Sequence, residues 1–261
     1  MGQADICQSA ISGFKVLGKE DVTPAQADRP IFTLAPWMVF MAAAMSMLVI
    51  PFAPGLVAFD SEIGVVYFFA IIGLSVVGLL VAGWASYNKY SLLGGLRSAA
   101  QMVSYEIPLT LSVVGAVVLG GTLNFRELIE WQQQHGWMLL WQPIGFGIFY
   151  IASLAEINRT PFDMVEADSE LVAGPFTEYS GMRFGFFFFA EYVALFIMSG
   201  IMISLFFGGW LAPWPFPAQL GGFVGTIYGV FWFFLKTYIF IAVAVWLRAT
   251  LVRVRIDQLM G

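Results

Sequence analysis

The feature that most constrains this chain is a succession of apolar runs, each long enough to cross about 30 Å of hydrocarbon as a helix of about twenty residues. They cover approximately residues 32–53, 63–86, 100–121, 137–156, 184–207 and 223–247. Inside a bilayer only helices and closed barrels satisfy the backbone. Barrel strands alternate apolar and polar residues, and these runs do not. The sequence therefore predicts an all-α, polytopic transmembrane helix bundle of about six spans. Composition agrees: 59% of the 261 residues are hydrophobic and 11% charged, against roughly 25% charged in soluble domains.

Ten of the twelve Lys and Arg fall on one side of this arrangement. Lys15, Lys19 and Arg29 precede the first span, Lys89 and Arg97 follow the second, Arg159 and Arg183 follow the fourth, and Arg248, Arg253 and Arg255 end the chain. Arg126 alone is on the other side, and Lys236 is within the last span. Since basic loops stay cytoplasmic, both termini are expected on the cytoplasmic side or its topological equivalent, which an even number of spans permits.

A net charge of −5 offers no broad basic face for nucleic acid. Cys7 and His135 are single, whereas thiolate and imidazole metal sites need several ligands at set spacings. No glycine-rich phosphate-binding stretch is present. The chain is expected to bind no metal and no redox cofactor of its own, so any redox centre belongs to a partner.

Residues 1–30 carry charges throughout and lack a signal-length apolar run. Ile6, Ala10, Phe14 and Leu17, at three- and four-residue steps, predict a short amphipathic helix on the cytoplasmic membrane surface. Residues 210–217, with three prolines and two tryptophans after Gly208 and Gly209, predict a turn anchored at the outer interface. Without an internal repeat, residues 1–261 read as a single transmembrane domain.

The informative residues are charges where charges are costly. An ionisable group at bilayer depth costs at least ~2.5 kcal/mol and is rarely kept without a partner or a water-filled cavity. Glu106, Glu191 and Lys236 lie inside apolar runs, and Glu156 closes one. From the helical rise, Glu106 and Glu191 are ~10 Å in from the cytoplasmic ends of their spans, and Lys236 is ~16 Å in. The four are expected to line one proton path from the cytoplasmic side to mid-membrane. Desolvation and neighbouring charge pull the pKa of such groups in opposite directions, which suits proton exchange near neutral pH. The plainer reading is a set of polar pairs that hold helices together.

Residues 157–183 form a densely acidic cytoplasmic-side loop. Asp163, Glu166 and Glu170 would share one face of a helix beginning at Thr160-Pro161. Like charges there call for a use or for cationic partners, and Arg159 and Arg183 are the ones at hand.

This stretch, AEINRTPFDMVEADSELVAGPFTEYSGMRF followed by FFFFAEY, closely resembles the signature of the H subunit of NADH-quinone oxidoreductase, called ND1 in mitochondria. The resemblance extends to FKVLGKEDVTPAQADRPIFTLAP, SYEIPLTLSVVG and WLRATLVRVRIDQLM, and so covers essentially the whole chain. It implies a membrane subunit of respiratory complex I that forms part of the quinone-binding chamber and of the charged path coupling quinone reduction to proton pumping. Quinone is then the substrate. Electrons come from NADH through flavin and iron-sulfur clusters on partner subunits, and the chain touches hydrophilic quinone-site subunits, small membrane subunits and lipid. Carried over by motif, the quinone-chamber and coupling residues are Glu156, Arg159, Asp163, Glu166, Glu170, Glu178 and Arg183, with Glu106 and Glu191 in the membrane. The family's usual first and last transmembrane helices are expected to be missing, and Val252 and Ile256 stand where it has a proline and an aromatic.

Two other readings are open at this point. The homologous membrane subunit of an energy-converting hydrogenase or formate hydrogenlyase shares the bundle, although the AEINRTPFD and SELVAG blocks favour the quinone enzyme. A proton-coupled secondary transporter also uses buried carboxylates and a lysine, but its related halves and broken midplane helices are not visible in the sequence.

Overall fold

The computed structural model of the chain describes residues 15–163, 173–213 and 222–252, and every regular element among them is helical. Five helices are long and apolar enough to span a membrane. They are α1 (Arg29–Met47), α2 (Gly64–Ala85), α3 (Lys89–Gly120), α7 (Gly181–Phe206) and α8 (Gly222–Thr250). Between α3 and α7 come α4 (Phe125–His135), α5 (Met138–Trp141), α6 (Pro143–Glu156) and a 3-10 turn, Gly174–Phe176. The all-α polytopic fold is thus as expected.

The fourth span is not. The run 137–156 is broken at Gln142, leaving α6 with 14 residues, ~21 Å against ~30 Å of hydrocarbon. Pro143 is the cause. Its ring nitrogen has no hydrogen to continue a helix from α5, yet in the first turn of α6 the missing donor costs nothing. Two other boundaries shift for related reasons. Helix α1 stops at Met47, and the chain folds back through Ile50 and Ala53, both fully buried. Helix α3 has 32 residues, ~48 Å, because it begins eleven residues before the apolar run. Asn88 caps it by accepting the Tyr90 N–H at 3.0 Å, and the basic turns Lys89–Arg97 remain helical outside the apolar stretch.

Helix α4 lies in what reads as a loop. Asn124 caps it by accepting the Arg126 N–H at 2.9 Å, and Phe125, Leu128, Ile129 and Gln132 bury one face. In the bundle, α2 packs between α1 and α3, α7 against α1 and α8, and α6 against α3. The 3-10 turn is pressed into α3 at Gly94, where a β-carbon would stand 2.6 Å from the Gly174 Cα. Ser91 Oγ donates to the Pro175 carbonyl beside it at 3.1 Å.

Of the expected surface helix, Ile6, Ala10 and Phe14 lie outside the described residues. Residues 15–18 are helical, and Leu17 is exposed. In the turn after α7, Trp210 is buried rather than interfacial, packed with Ile129 and Leu211.

Candidate functional site

The apolar walls of α1, α2, α3 and α7 enclose a cavity of about 850 Å³ counted out to its mouth. Ile72, Met102 and Met198 are among its apolar lining, and Glu156, Asn158 and Glu191 bring polar groups to one wall. Phe176 of the 3-10 turn and Phe187 of α7 complete it, packed on each other with ring centroids 4.9 Å apart.

Glu156 is the last residue of α6 and is 2% exposed. Among the described residues neither of its carboxylate oxygens has a hydrogen-bond partner. Glu106 on α3 is near enough to act on it electrostatically. Most buried polar atoms are hydrogen-bonded, so two unpartnered carboxylate oxygens buried in the wall of an apolar cavity are an exception with chemical content. They can take up a proton.

The chain turns sharply after Glu156. Asn158 is left-handed, with φ 54°, and its amide donates to Ser98 Oγ on α3 at 3.3 Å. Gln101 of α3 donates to the Ala155 carbonyl at 2.8 Å and the Phe162 carbonyl at 2.9 Å, clasping both ends of the turn. The turn aims Arg159 at α7. Its Nε lies 2.9 Å from Glu191 Oε1, with both side chains mostly buried, and its guanidinium sits 4.6 Å over the Tyr192 ring. A planar cation on an aromatic face beside a carboxylate is held in direction as well as position.

The structure therefore brings together Glu106, Glu156, Arg159 and Glu191. Glu178 and Arg183 have other neighbours. Asn88, the α3 cap, donates from Nδ2 to Glu178 Oε1 at 2.6 Å. Arg183 Nε pairs with Asp21 Oδ2 at 2.9 Å, and its guanidinium lies 5.3 Å over Phe32. The segment before α1 is thereby tied to the start of α7, where Ser180 Oγ also accepts the Val22 N–H at 2.9 Å. Tyr179 stacks on Phe32 with centroids 4.0 Å apart. Burial pushes the Tyr179 hydroxyl above its ordinary range, against the opposing effects of Ser86 and Arg183.

Asp163 ends a turn, not the first turn of a helix begun at Pro161, because residues 160–162 do not take up helical geometry. Glu166 and Glu170 lie outside the described residues. Lys236 stands apart from the carboxylates. Its ammonium donates to the carbonyls of Phe207, Gly209 and Leu211 at 2.8, 2.8 and 2.6 Å, just past the C-terminal end of α7, ~24 Å along that helix from Glu191. Of the four charges expected along one path, Glu106 and Glu191 thus lie near Glu156 and Lys236 does not. Sequence reasoning missed Gln101 and Asn158; a lone amide in an apolar run was the available signal for Gln101.

The family described as NADH dehydrogenase matches the chain over residues 1–261. The H subunit of NADH-quinone oxidoreductase from Brevibacillus brevis is 46% identical over 261 residues, 100% of this chain and 75% of its own length. The protein of that name from Bacillus mycoides is 48% identical over 259 residues. The one from Bacillus cytotoxicus is 49% identical over 259 residues, 99% of this chain and 75% of its own length.

Proposed function

Since the chain belongs to the NADH dehydrogenase family, as a membrane component of NADH-quinone oxidoreductase of the H-subunit (ND1) type, we propose that its carboxylate-lined cavity is part of the quinone-binding chamber. The carboxylates Glu106, Glu156 and Glu191 then carry the protonic response to quinone reduction. The observation that supports this is Glu156, a buried acid with two unpartnered oxygens in the wall of this largely apolar cavity. Ligand pockets commonly set a few polar groups on apolar walls, as this cavity does.

The chemistry follows from charge. Two-electron reduction of a quinone leaves two oxyanions that require two protons. An oxyanion forming near Glu156 destabilises its ionised state and those of Glu106 and Glu191, while Arg159 is drawn towards the new charge. The Arg159–Glu191 contact is the element that such a field would bias between two arrangements. Electrons reach the quinone from NADH through flavin and iron-sulfur clusters on partner subunits, and hydrophilic quinone-site subunits and small membrane subunits close the chamber. The acidic residues Asp163, Glu166, Glu170 and Glu178, with Arg183, extend the charged path on the cytoplasmic side. The multi-pass chain is placed in the cell inner membrane, where α5 and α6 together make the sixth crossing and both termini are cytoplasmic.

The test is Glu156→Gln in membranes carrying the assembled complex, read as NADH:quinone turnover and protons moved per electron. Glutamine keeps size and hydrogen bonding but takes up no proton. Turnover or proton yield is expected to fall about 10²-fold or more, within the range for loss of a proton-transferring group. Normal turnover and yield in an assembled complex would remove Glu156 from the path.

A further inference from the structure

The far end of α7 is built unlike the cavity end. The last carbonyls of a helix have no partners within it, and here nearly every one is assigned. The Ile203 carbonyl accepts the N–H groups of Phe207 and Gly209. Gln132 of α4 donates from Nε2 to the Ser204 and Leu205 carbonyls, each at 3.0 Å. Gly208 and Gly209 then take φ values of +69° and +50°, which only glycine adopts at low cost. These two residues fold the chain so that the carbonyls of Phe207, Gly209 and Leu211 converge on one point. At that point sits the Lys236 ammonium, with one donor for each of three acceptors. The residue is 8% exposed.

We propose that Lys236 is a positioning residue, a fixed cation whose ammonium holds the 207–211 turn against α8 and keeps this end of the bundle closed to protons. An ammonium is a compact charge with three donors and no acceptor. With all three donors engaged by backbone, none is left to hand a proton along a path. No carboxylate is among its hydrogen-bond partners in the described residues, so its charge is held by backbone dipoles at the end of α7 rather than shared with the acids ~24 Å away along that helix. Helix α8 packs chiefly on α7, so the same contact also fixes where α8 lies. The closure serves coupling only on the reading that the carboxylates at the other end exchange protons. The cradle itself does not depend on that reading.

The experiment uses the assembled complex with Lys236→Met, Lys236→Arg and wild type. Two quantities are read: hydrogen exchange of the peptide covering residues 204–212, and passive proton leak across vesicles without NADH. Methionine removes every donor, so exchange in that peptide is expected to quicken about tenfold or more, the scale of losing hydrogen bonds to a charged group. Leak should rise with it. Arginine keeps the charge and several donors but does not deprotonate, so low leak and proton yield per electron should both survive. Unchanged exchange and leak in Lys236→Met would overturn the proposal, as would Lys236→Arg with low leak and lost proton yield, the mark of a proton carrier. Should Lys236→Met fail to assemble, Gly209→Ala tests the same cradle with the lysine present. Its β-carbon would meet Ile129 Cδ1 at 2.5 Å, and unaltered exchange at 204–212 there would equally refute it. Failure of the carboxylate reading leaves the exchange result untouched, so the two are separable.

Discussion

Replacing Gly94 by alanine tests whether the close seat of the 3-10 turn on α3 holds the cavity wall in place. In a free helix the change would stabilise by ~1 kcal/mol. Here the new β-carbon would lie 2.6 Å from Gly174 Cα, 2.8 Å from its carbonyl carbon and 2.9 Å from Pro175 N. All three are backbone atoms, so no rotamer change relieves them. Ordinary contact at ~3.5 Å requires the turn to retreat by ~0.9 Å. Overpacking of this kind costs ~1–3 kcal/mol, and stretching the 3.1 Å Ser91–Pro175 hydrogen bond adds ~1 kcal/mol. The penalty exceeds the helical gain, and Gly94→Ala should be destabilising by ~1–3 kcal/mol, or about 5- to 150-fold in the population of the opened turn. Gly147 in α6 is the control, because a β-carbon there meets nothing within 4 Å in this chain. The assay is the rate of heat inactivation of NADH:quinone turnover in membranes. Gly94→Ala should inactivate faster than wild type, with a raised KM for quinone because Phe176 lines the cavity. Gly147→Ala should match wild type or inactivate more slowly. Equal behaviour of the two variants would refute the steric argument.

Arg159→Lys keeps a positive charge for Glu191 but loses the planar face over Tyr192, a contact worth ~0.5–2 kcal/mol. Quinone turnover should fall about 2- to 30-fold by that energy, and further in Arg159→Met; identical activity in the two variants would show that charge at this position is immaterial. Tyr179 has a folded-state pKa raised by burial above its ordinary 10.0. The raised value means that its contribution to stability is full below pH 10 and is lost as pH rises beyond it. Tyr179→Phe has no proton to lose, so the wild-type to Tyr179→Phe ratio of inactivation rates should be flat below pH 10 and climb above it. A ratio flat across that range would refute a buried phenol.

Hydropathy made the long helices legible because desolvating a backbone at this length leaves few alternatives. It did not reveal the break at Pro143, since leucine, tryptophan and isoleucine on either side keep the run apolar while the imino nitrogen ends the hydrogen-bond ladder. Helix α4 was hidden for the opposite reason: eleven residues with one buried face carry no span-length signal. Among the charges, the type and depth of Glu106, Glu156 and Glu191 could be read directly. That Arg159 joins Glu191 depends on a left-handed Asn158 and on Gln101 clasping the turn, and that Arg183 instead meets Asp21 depends on the segment before α1 lying against Ser180; none of this follows from spacing. Lys236 was misjudged in placement because depth along α8 says nothing about which end of α7 the side chain reaches.

The contrast between the two ends of α7 suggests where movable charge can reside. At the far end, acceptors are matched by Gln132, by Lys236 and by the Phe207 and Gly209 amides, and any motion there must break several hydrogen bonds at once. At the cavity end, Glu156 has open acceptors, and the Arg159–Glu191 contact rests on a side chain that leaves the bundle by a single turn. A change of charge in the cavity therefore meets little resistance locally and much resistance across the bundle. On the proposed reading, proton exchange at the cavity would be confined to that end of the bundle, away from the Lys236 cradle. Two variants separate these ends: Glu156→Gln at the open end should stop proton movement without leak, and Lys236→Met at the closed end should admit leak while turnover continues.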